Sequence, residues 1–439
     1  MLLVAMLLAA VITISLGTYM NLSITSLRLA DRTFYSNAAM NLVEMGVEEA
    51  MWSFQEDDIS GTGWNGWDTS SGTTAKRTFG TNTFGGNVTG VTKVYVNDHT
   101  GLSASPFILS RSIITLPQGA SIEKWILITL NRRSKFNMAL VSKGNITFSG
   151  TNASVDSWNS DPTGTGSPLV PYSAGVATDE GSIGSIDVSS TISVNNADIW
   201  GTAAVGGPAT TAIAVGPNGV VGPYGTAAGT KDPGSISTDF TANLDPVAAP
   251  TGGTVIGAIT GSTTLGAGIW RIPSISLGGG NTLTITGNVT IIITGAEGTS
   301  GISIGGTAQF DIAAGANVKI YSAANIDIGG SGVLNPNAQP STLQIWGTST
   351  NPIAQTIAIK GNGTLAGLVY APNANVTVNG NGSVNGSIIA KNVTIAGNAA
   401  IHFDEALHGL DTGDPYGITK WTELTTAAQR AAYLSLMSF

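Results

Sequence analysis

The chain opens with an apolar segment that carries no charged side chain before Arg28. As an α-helix, these 27 residues would extend about 40 Å at about 1.5 Å per residue, enough to cross the hydrocarbon core of a bilayer. The first proline is Pro106, and helix-compatible residues continue to about Phe54. The pattern therefore predicts one helix over residues 1–55 that is about 80 Å long.

The second half of this predicted helix carries two apolar rows on different sides. Phe34, Ala38, Leu42 and Met45 form one row, and Val43, Val47, Ala50 and Phe54 form the other. A polar stripe that includes Glu44 and Glu48 separates the two rows. A surface helix needs only one apolar face to pack on its own domain. We therefore expect two partners for this helix, its own globular domain and neighbouring subunits.

The start of the chain lacks the basic segment that normally precedes the apolar core of a secretory signal. We expect from this that a leader has been removed before Met1. An ordinary membrane anchor or an uncleaved signal is the alternative interpretation.

Residues 56–136 predict an ordered loop followed by a small antiparallel sheet against the helix. Two tryptophans lie in the Gly-, Thr- and Asn-rich loop, where buried indoles would hold it in place. Strand-like alternation follows in residues 91–96, 107–116 and 122–130. The basic run at 132–135 is interpreted as a solvated or salt-bridged face, with contact to an anionic surface as the alternative.

From about residue 137 the sequence becomes quasi-periodic. Segments 357–364, 376–383 and 393–400 align at intervals of 19 and 17 residues, with Gly and Asn at the corners. Single strands this short cannot bury their apolar residues, whereas coils stacked about 4.8 Å apart share one core and pair their main-chain groups. Corner Asn side chains are able to form ladders between coils. The pattern predicts a parallel β-solenoid over residues 137–410, with a β-sandwich of short strands as the rival fold.

Two interruptions mark the boundaries of this region. A break near residue 245 would divide the solenoid into two parts. Residues 411–415 form a second break, and residues 420–439 carry an apolar stripe at helical spacing. We expect residues 411–439 to form a helical segment that caps the open end of the solenoid, where strand edges would otherwise remain unpaired.

Composition narrows the class of protein. Only 10% of the residues are charged while 42% are hydrophobic, which excludes a disordered polyelectrolyte. The net charge is −9 and the basic residues are not clustered on the scale of a nucleic-acid-binding surface. With no cysteine and 58 glycines, the fold must be stabilised by main-chain ladders and packing instead of disulfides.

Candidate metal-binding chemistry is sparse. Of the three histidines, His99, His402 and His408, only His402 has other ligating residue types nearby, at 404, 405 and 408. This cluster is either a metal site or, as we expect, a polar rim at the end of the solenoid. Asp156 and Asp161 are candidates for a calcium site, but no complete loop of oxygen ligands accompanies them.

Candidate catalytic chemistry is weaker still. A cysteine nucleophile is impossible, and no Gly-x-Ser-x-Gly elbow occurs between a predicted strand and a helix. A β-helical enzyme acting on carbohydrates would need paired acids along one groove, whereas the acids of the solenoid are isolated in sequence. We predict no catalytic, cofactor-binding or metal site, and we expect that the chain is not an enzyme.

Residues 1–54 resemble type IV pilins and their minor-pilin relatives. The resemblance is carried by the segments 34–39 (FYSNAA) and 42–50 (LVEMGVEEA). It implies processing by a prepilin peptidase, N-terminal methylation, anchoring in the bacterial inner membrane and later packing of the helix into a filament core. Ala5 departs from the family, since major pilins carry Glu at the fifth mature position, so the way neighbouring copies are held in register is open. Gly17 is either a point where the helix unwinds on assembly or a close helix–helix contact.

The repetitive region resembles Gly- and Asn-rich β-helical domains of bacterial surface and pilus-associated proteins. Together, these observations predict a mainly β protein with a long pilin-type helix, a small β-sheet and a parallel β-solenoid. The predicted function is that of a structural subunit of an extracellular type IV pilus-like filament. The predicted assembly residues of the helix core are Met1, Leu2, Leu3, Val4, Ala5, Leu7, Leu8, Val11, Ile12, Ile14, Leu16 and Gly17.

The predicted partners are copies of the chain itself, the pilus assembly machinery, the peptidase and the inner membrane, with no cofactor and no nucleic acid. One alternative is a minor or tip subunit whose solenoid binds a surface or a glycan. The other is a membrane-anchored, β-helical carbohydrate-active enzyme.

Overall fold

The computed structural model of the chain describes residues 2–100, 106–117, 119–131, 134–352, 354–360, 364–410 and 416–439. Two α-helices are present in these ranges, α1 (Leu2–Ser60) and α2 (Ala427–Ala431). Short 3-10 helices span Thr210–Ala212, Pro233–Ser235, Pro340–Thr342, Glu405–Gly409 and Leu434–Met437.

The strands of the first part of the chain are β1 (Ala75–Thr78), β2 (Asn82–Thr83), β3 (Thr89–Asn97), β4 (Phe107–Thr115), β5 (Ser121–Asn131), β6 (Leu140–Ser142), β7 (Ile146–Phe148), β8 (Ser154–Trp158), β9 (Ile183–Ser185), β10 (Ile192–Asn195), β11 (Asp198–Trp200), β12 (Ala203–Val205), β13 (Ile213–Val215), β14 (Val220–Gly222), β15 (Thr230–Lys231) and β16 (Ile236–Ser237). The later strands are β17 (Thr254–Val255), β18 (Thr263–Ile272), β19 (Ile275–Leu277), β20 (Thr282–Ile293), β21 (Ser300–Ile304), β22 (Gln309–Ile312), β23 (Asn317–Ser322), β24 (Asn325–Ile328), β25 (Val333–Leu334), β26 (Leu343–Gly347), β27 (Thr356–Ile359), β28 (Thr364–Val378), β29 (Ser383–Ile395), β30 (Ala400–Asp404) and β31 (Gly417–Glu423).

The chain forms two compact units. Unit 1 comprises Met1–Arg133 together with Asp411–Phe439, and unit 2 comprises Ser134–Leu410. The predicted fold class is confirmed, because a long N-terminal helix and a small antiparallel sheet precede a large parallel sheet wound as a solenoid. The parallel pairing excludes the β-sandwich.

In unit 1, α1 packs on an antiparallel sheet with strand order β1-β3-β4-β5-β31, and β2 pairs with β3. The helix is held close to the sheet because strand hydroxyls reach its main chain. Three of them donate to carbonyl oxygens of α1: Thr92 to Leu42 (3.2 Å), Ser110 to Val43 (2.8 Å) and Ser112 to Ala39 (2.6 Å). Gly46 makes this approach possible, since a Cβ there would lie 2.6 Å from both Ser110 Oγ and Val94 Cγ2.

The expectation that the two apolar rows of α1 face different partners is wrong. Val43, Val47, Ala50 and Phe54 are buried in one core with the sheet. Leu42 is buried in a second cluster of the same unit, and Ala38 and Met45 pack partly against that cluster. The sheet is wide enough to cover both rows, because α1 crosses β3, β4 and β5. Only Phe34, at 60% exposure, remains bare.

The expectation that residues 411–439 cap the solenoid is also wrong. Residues 411–415 lie outside the described ranges, and β31 then pairs antiparallel with β5 as an edge strand of unit 1. The apolar stripe starts in this strand and not in a helix, and α2 spans only five residues. Leu424 and Met437 are buried against Trp125, which gives this segment its core contact.

In unit 2, the strands form three parallel faces around one hydrophobic core. Face A contains β6 and β9, face B contains β7 and β10, and face C contains β8 and β11, and each is continued by the strands stacked in register on them. Asn ladders link successive coils, as predicted. Asn392 Nδ2 donates to Asn375 Oδ1 (2.8 Å), and Asn145 N donates to Asn392 Oδ1 (3.0 Å).

The coils do not stack in the order of the sequence. Strands β6–β8 pair on one side with β9–β11 and on the other with β29 and β30. The chain thus enters the solenoid in the middle of the stack, coils to one end at β16, crosses to the other end and coils back from β17 to β30. The coils on both sides of residue 245 therefore belong to one stack.

The crossing segment, residues 238–253, packs along face A. The Phe240 ring covers Gly184, where a Cβ would lie 2.6 Å from a ring carbon. Tyr370 OH donates to the main-chain oxygen of Asp245 (2.9 Å), and Leu244 is buried. Side chains of face A are thereby covered by the chain itself.

We predict that Gly46→Val destabilises unit 1 by about 1–3 kcal/mol, because the added side chain overpacks the contact between α1 and the sheet. The measurement is hydrogen–deuterium exchange of peptides from β3 and β4 in increasing urea, with the full chain in detergent micelles. Gly17→Val is the matched control, since a Cβ at Gly17 meets no atom within 4 Å. Equal protection in both variants would contradict the close contact.

We predict that the double variant Thr147→Cys/Thr394→Cys forms a disulfide on mild oxidation. Thr147 and Thr394 are register partners on β7 and β29, so their Cα atoms are about 4.8 Å apart, which a disulfide can bridge. Mass spectrometry of linked peptides measures the bond. Thr147→Cys/Thr377→Cys is the control, because Thr377 lies one strand further along and its Cα is about 9.6 Å from Thr147. A bond in the control pair alone would refute the stacking order.

Candidate functional site

The apolar N-terminal half of α1 is the largest bare apolar surface of unit 1. Exposure is 81% at Leu2, 60% at Leu7 and 58% at Leu16. The other predicted assembly residues with described side chains, Leu3, Val4, Leu8, Val11, Ile12 and Ile14, are exposed as well. Met1 lies outside the described residues, and the side chain of Ala5 is not described. The predicted assembly residues therefore form one continuous uncovered cylinder.

One helix of the described residues, Leu2–Asp57, is long and apolar enough to cross a membrane by length and composition. None of its most apolar stretch is buried. Because each buried Leu or Ile side chain stabilises by about 1.5–3 kcal/mol, water is a poor solvent for this cylinder. Two environments can cover it, a lipid bilayer or the same segment of other copies.

In unit 2 the strand register assembles a polar cluster on face C that is absent from local sequence. His402 on β30 is the register partner of Asp156 on β8, and the two residues are 246 positions apart. His402 Nδ1 lies 2.5 Å from Asp156 Oδ1, and Tyr172 OH donates to Asp156 Oδ2 (2.8 Å). The Tyr172 ring stacks on the imidazole, with centroids 3.6 Å apart. This cluster lies in the middle of the stack, so the prediction of a polar rim at its end is wrong for His402.

The Tyr172 side chain comes from a long loop, residues 159–182, that is fixed at several points. Trp158 Nε1 donates to the main-chain oxygen of Val170 (3.1 Å), and the indole meets the Tyr172 ring edge to face at 5.4 Å. Ser160 donates to Asp404 from both its main-chain N (2.9 Å) and its Oγ (2.6 Å). Burial raises the pKa of Asp404, although these hydrogen bonds oppose the change. The loop thus presents a fixed surface over face C.

The acidic and imidazole groups do not converge on a common point. Asp404 is turned to Ser160, and Asp156 is occupied by His402 and Tyr172. The Asp161 carboxylate accepts from the main-chain N of Gly166 (2.8 Å) in its own loop. Within the described ranges, no three His, Asp or Glu side chains are placed to share a metal ion. The sequence signal for this cluster would have been the repeat alignment of β8 with β30, which the non-sequential stacking hides.

Comparison with known proteins gives a partial match. A family model described as a domain of unknown function (DUF7305) matches residues 225–410, less than half of the chain. No curated protein matches the sequence.

Three solved structures illustrate the similar folds. An ice-binding protein from an Arctic yeast (LeIBP) is 13% identical, with 61% of this chain and 90% of that chain covered and a TM-score of 0.26. An ice-binding protein domain from Shewanella frigidimarina is 15% identical, with 62% and 94% covered and a TM-score of 0.24. The competence-associated pilin ComZ from Thermus thermophilus is 8% identical, with 79% and 87% covered and a TM-score of 0.19. At these values the similarities assign no function to the chain.

We predict that Asp404→Asn stabilises the fold relative to the wild type by an amount that grows as the pH rises above about 4. A raised pKa in the folded state means that the folded protein holds its proton more tightly, so stability is greatest below the unfolded pKa and is lost as the pH rises through the folded pKa. Asn keeps the contacts, since its Oδ1 accepts from the two main-chain N–H groups and its Nδ2 can donate to Ser160 Oγ. Urea unfolding between pH 4 and pH 7 measures the difference.

Asp187→Asn is the control for this pH dependence, with the opposite sign. The main-chain hydrogen bond from Ser189 lowers the pKa of Asp187, so its contribution to stability is present above the unfolded pKa and lost as the pH falls. Its Asn variant should lose stability relative to the wild type as the pH rises. A pH-independent difference for Asp404→Asn would contradict the burial of a charged carboxylate.

Proposed function

We propose that this chain is a structural subunit of an extracellular, type IV pilus-like filament. The observation that carries the proposal is the division of α1 into two halves, one packed on its own sheet and one bare. A helix that buries Val43 and Val47 in unit 1 and leaves Leu2–Leu27 to other partners suits an assembly of parallel helices.

The physical basis is the solvent requirement of the bare half. Before assembly, the apolar helix would be covered by the inner membrane, and a prepilin peptidase and the pilus assembly machinery would act on it there. After assembly, the same side chains would pack against copies of themselves, with β-domains on the outside. Neither state needs a cofactor or nucleic acid, and the proposed role is structural and not enzymatic.

The second candidate is a minor or tip subunit whose solenoid binds a surface or glycan. It is favoured by an outward row on face B, where Thr377, Thr394, Thr147 and Ser193 follow one another in register. Small hydroxyl side chains repeated about every 4.8 Å make a regular donor and acceptor array. Such an array suits an ordered partner surface.

We predict that Leu8→Asn/Ile12→Asn reduces the filament yield at least about tenfold, because two side chains worth about 1.5–3 kcal/mol each lose their buried environment in the assembly. The measurement is electron microscopy and peptide mass spectrometry of material sheared from cells that produce the chain. Val188→Asn is the matched control, since Val188 is 73% exposed but lies in unit 2.

Filaments composed mainly of the wild-type chain and lost only in the helix variant would support the major-subunit proposal. Filaments that contain the chain at few copies would favour the minor-subunit candidate. A wild-type chain that stays in the membrane fraction, with no filament, would sink both.

A further inference from the structure

A cleft of about 560 Å³ opens on face C of unit 2. One wall comes from the fixed loop, at Pro171 and Tyr172, and the other from the loop after β25, at Pro336 and Pro340. Ala366 and Asn385 also line the cleft; they are register partners on β28 and β29. The volume falls within the range of about 300–1,000 Å³ typical of small-molecule sites.

The lining holds one polar atom without a partner. Asn385 Oδ1 is buried and accepts no hydrogen bond. A buried polar atom left unpaired costs about 1–3 kcal/mol, and native proteins pair the great majority of such atoms. Asn385 sits on β29 between Ala366 and His402, so the small Ala366 leaves room beside the amide. The position is costly for the fold alone.

The other amides of the cleft have structural roles. Asn335 Nδ2 donates to Thr342 Oγ1 (2.8 Å) and to the main-chain oxygen of Ala366 (3.0 Å). Asn337 Nδ2 donates to the main-chain oxygens of Ala313 (3.4 Å) and Ala316 (3.3 Å). These bonds fix the wall that carries Pro336. Asn385 therefore differs from its neighbours in having its amide left for something else.

The charge of the cleft limits what that partner is. None of the described residues that line it is charged. The nearest carboxylate along the outward row, Asp156, already accepts from Tyr172 and lies against His402. An ionic ligand would lose its hydration without a counter-charge, which is unfavourable. The site thus suits a neutral ligand that has both apolar faces and hydrogen-bonding groups.

We propose that this cleft binds a neutral saccharide. A sugar hydroxyl can donate to Asn385 Oδ1 and accept from Asn385 Nδ2, while the C–H faces of the ring pack on Tyr172 and the prolines. Both walls are fixed by internal hydrogen bonds, so little conformational entropy is lost on binding. The proposal gives the adhesive form of the proposed function a ligand class and rests on it for its biological role; the binding itself does not depend on filament assembly.

The binding test uses the full chain in micelles of lauryldimethylamine oxide, a detergent without a sugar headgroup. The probes are maltohexaose, cellohexaose, mannohexaose and chitohexaose, titrated by calorimetry. We expect at least one probe to bind, and Asn385→Leu to weaken it about tenfold or more, as the loss of one hydrogen bond predicts. Asn218→Leu, at an exposed corner outside the cleft, is the control and should bind like the wild type.

A second readout does not depend on the choice of probe. If Asn385 is kept for a ligand, Asn385→Leu should raise the melting temperature of the unliganded chain by about 2–4 °C, since it removes an unpaired buried polar atom. Asn337→Leu should lower it, because two carbonyl groups lose their donor. A fall in melting temperature for Asn385→Leu would show a structural amide and overturn the proposal.

The two tests separate the possible failures. Stabilisation by Asn385→Leu with no binding of any probe, at a limit of about 10 mM, would overturn the saccharide as the ligand class. Saccharide binding that is unchanged in Asn385→Leu would place the ligand elsewhere. Either result would leave the filament yield of the helix variants as a separate question.

Discussion

The main-chain hydrogen bonding of the first coil of unit 2 is the interaction on which the solenoid depends. Strands β6–β8 are only three to five residues long and have paired strands on both sides, with the second coil on one and the last coil on the other. Without the last coil, Leu140 and Ile146 would lie at an open edge of the stack. The insertion closes one hydrophobic core over coils that are more than 200 residues apart in the chain, and the Asn145–Asn392 contact crosses that junction. Local sequence order and spatial order separate here, so the fold cannot be complete until residue 404 is in place.

The same insertion places the chemistry of face C. Asp156 and His402 meet because β8 and β30 are neighbours, and the loop that follows β8 then carries Tyr172 over the imidazole. The loop is held by contacts to β30 as well, through Ser160 and Asp404. A polar cluster, a fixed loop and the cleft beside them are consequences of one register. Asn385, next in the same outward row, is the member whose hydrogen-bonding capacity the fold leaves unused.

In unit 1 the governing constraint is the closeness of helix and sheet. The hydroxyls of Thr92, Ser110 and Ser112 bind helix carbonyl oxygens, and Gly46 removes the side chain that would hold the two apart. The sheet covers the apolar surface of α1 from about Tyr35 onward, and the uncovered part is then a single N-terminal cylinder. The division of labour along α1 follows from where the sheet ends and not from a change in helix character.

Much of this architecture was determined by sequence. The uncharged start, the absence of proline before residue 106 and the two apolar rows were enough to predict α1, since helix periodicity is a local property. Alternation placed β3, β4 and β5 within two residues of their ends, and the Gly–Asn corners with regular spacing predicted parallel coils and Asn ladders. Each of these features is read from residues that are close together in the chain.

Tertiary structure alone decided three matters. Whether Leu42 and Val43 serve one partner or two depends on the width of the sheet beneath them, which no helical pattern reports. The C-terminal segment completes the sheet of unit 1 because β5 has an edge to offer, although its apolar spacing from Trp421 onward also fits a helix. Asp156 and His402 form one cluster only because coils stack out of order, and a periodic sequence does not state which coil lies beside which. Stacking energy depends on apolar and main-chain groups that all coils share, so only the closed core selects the order.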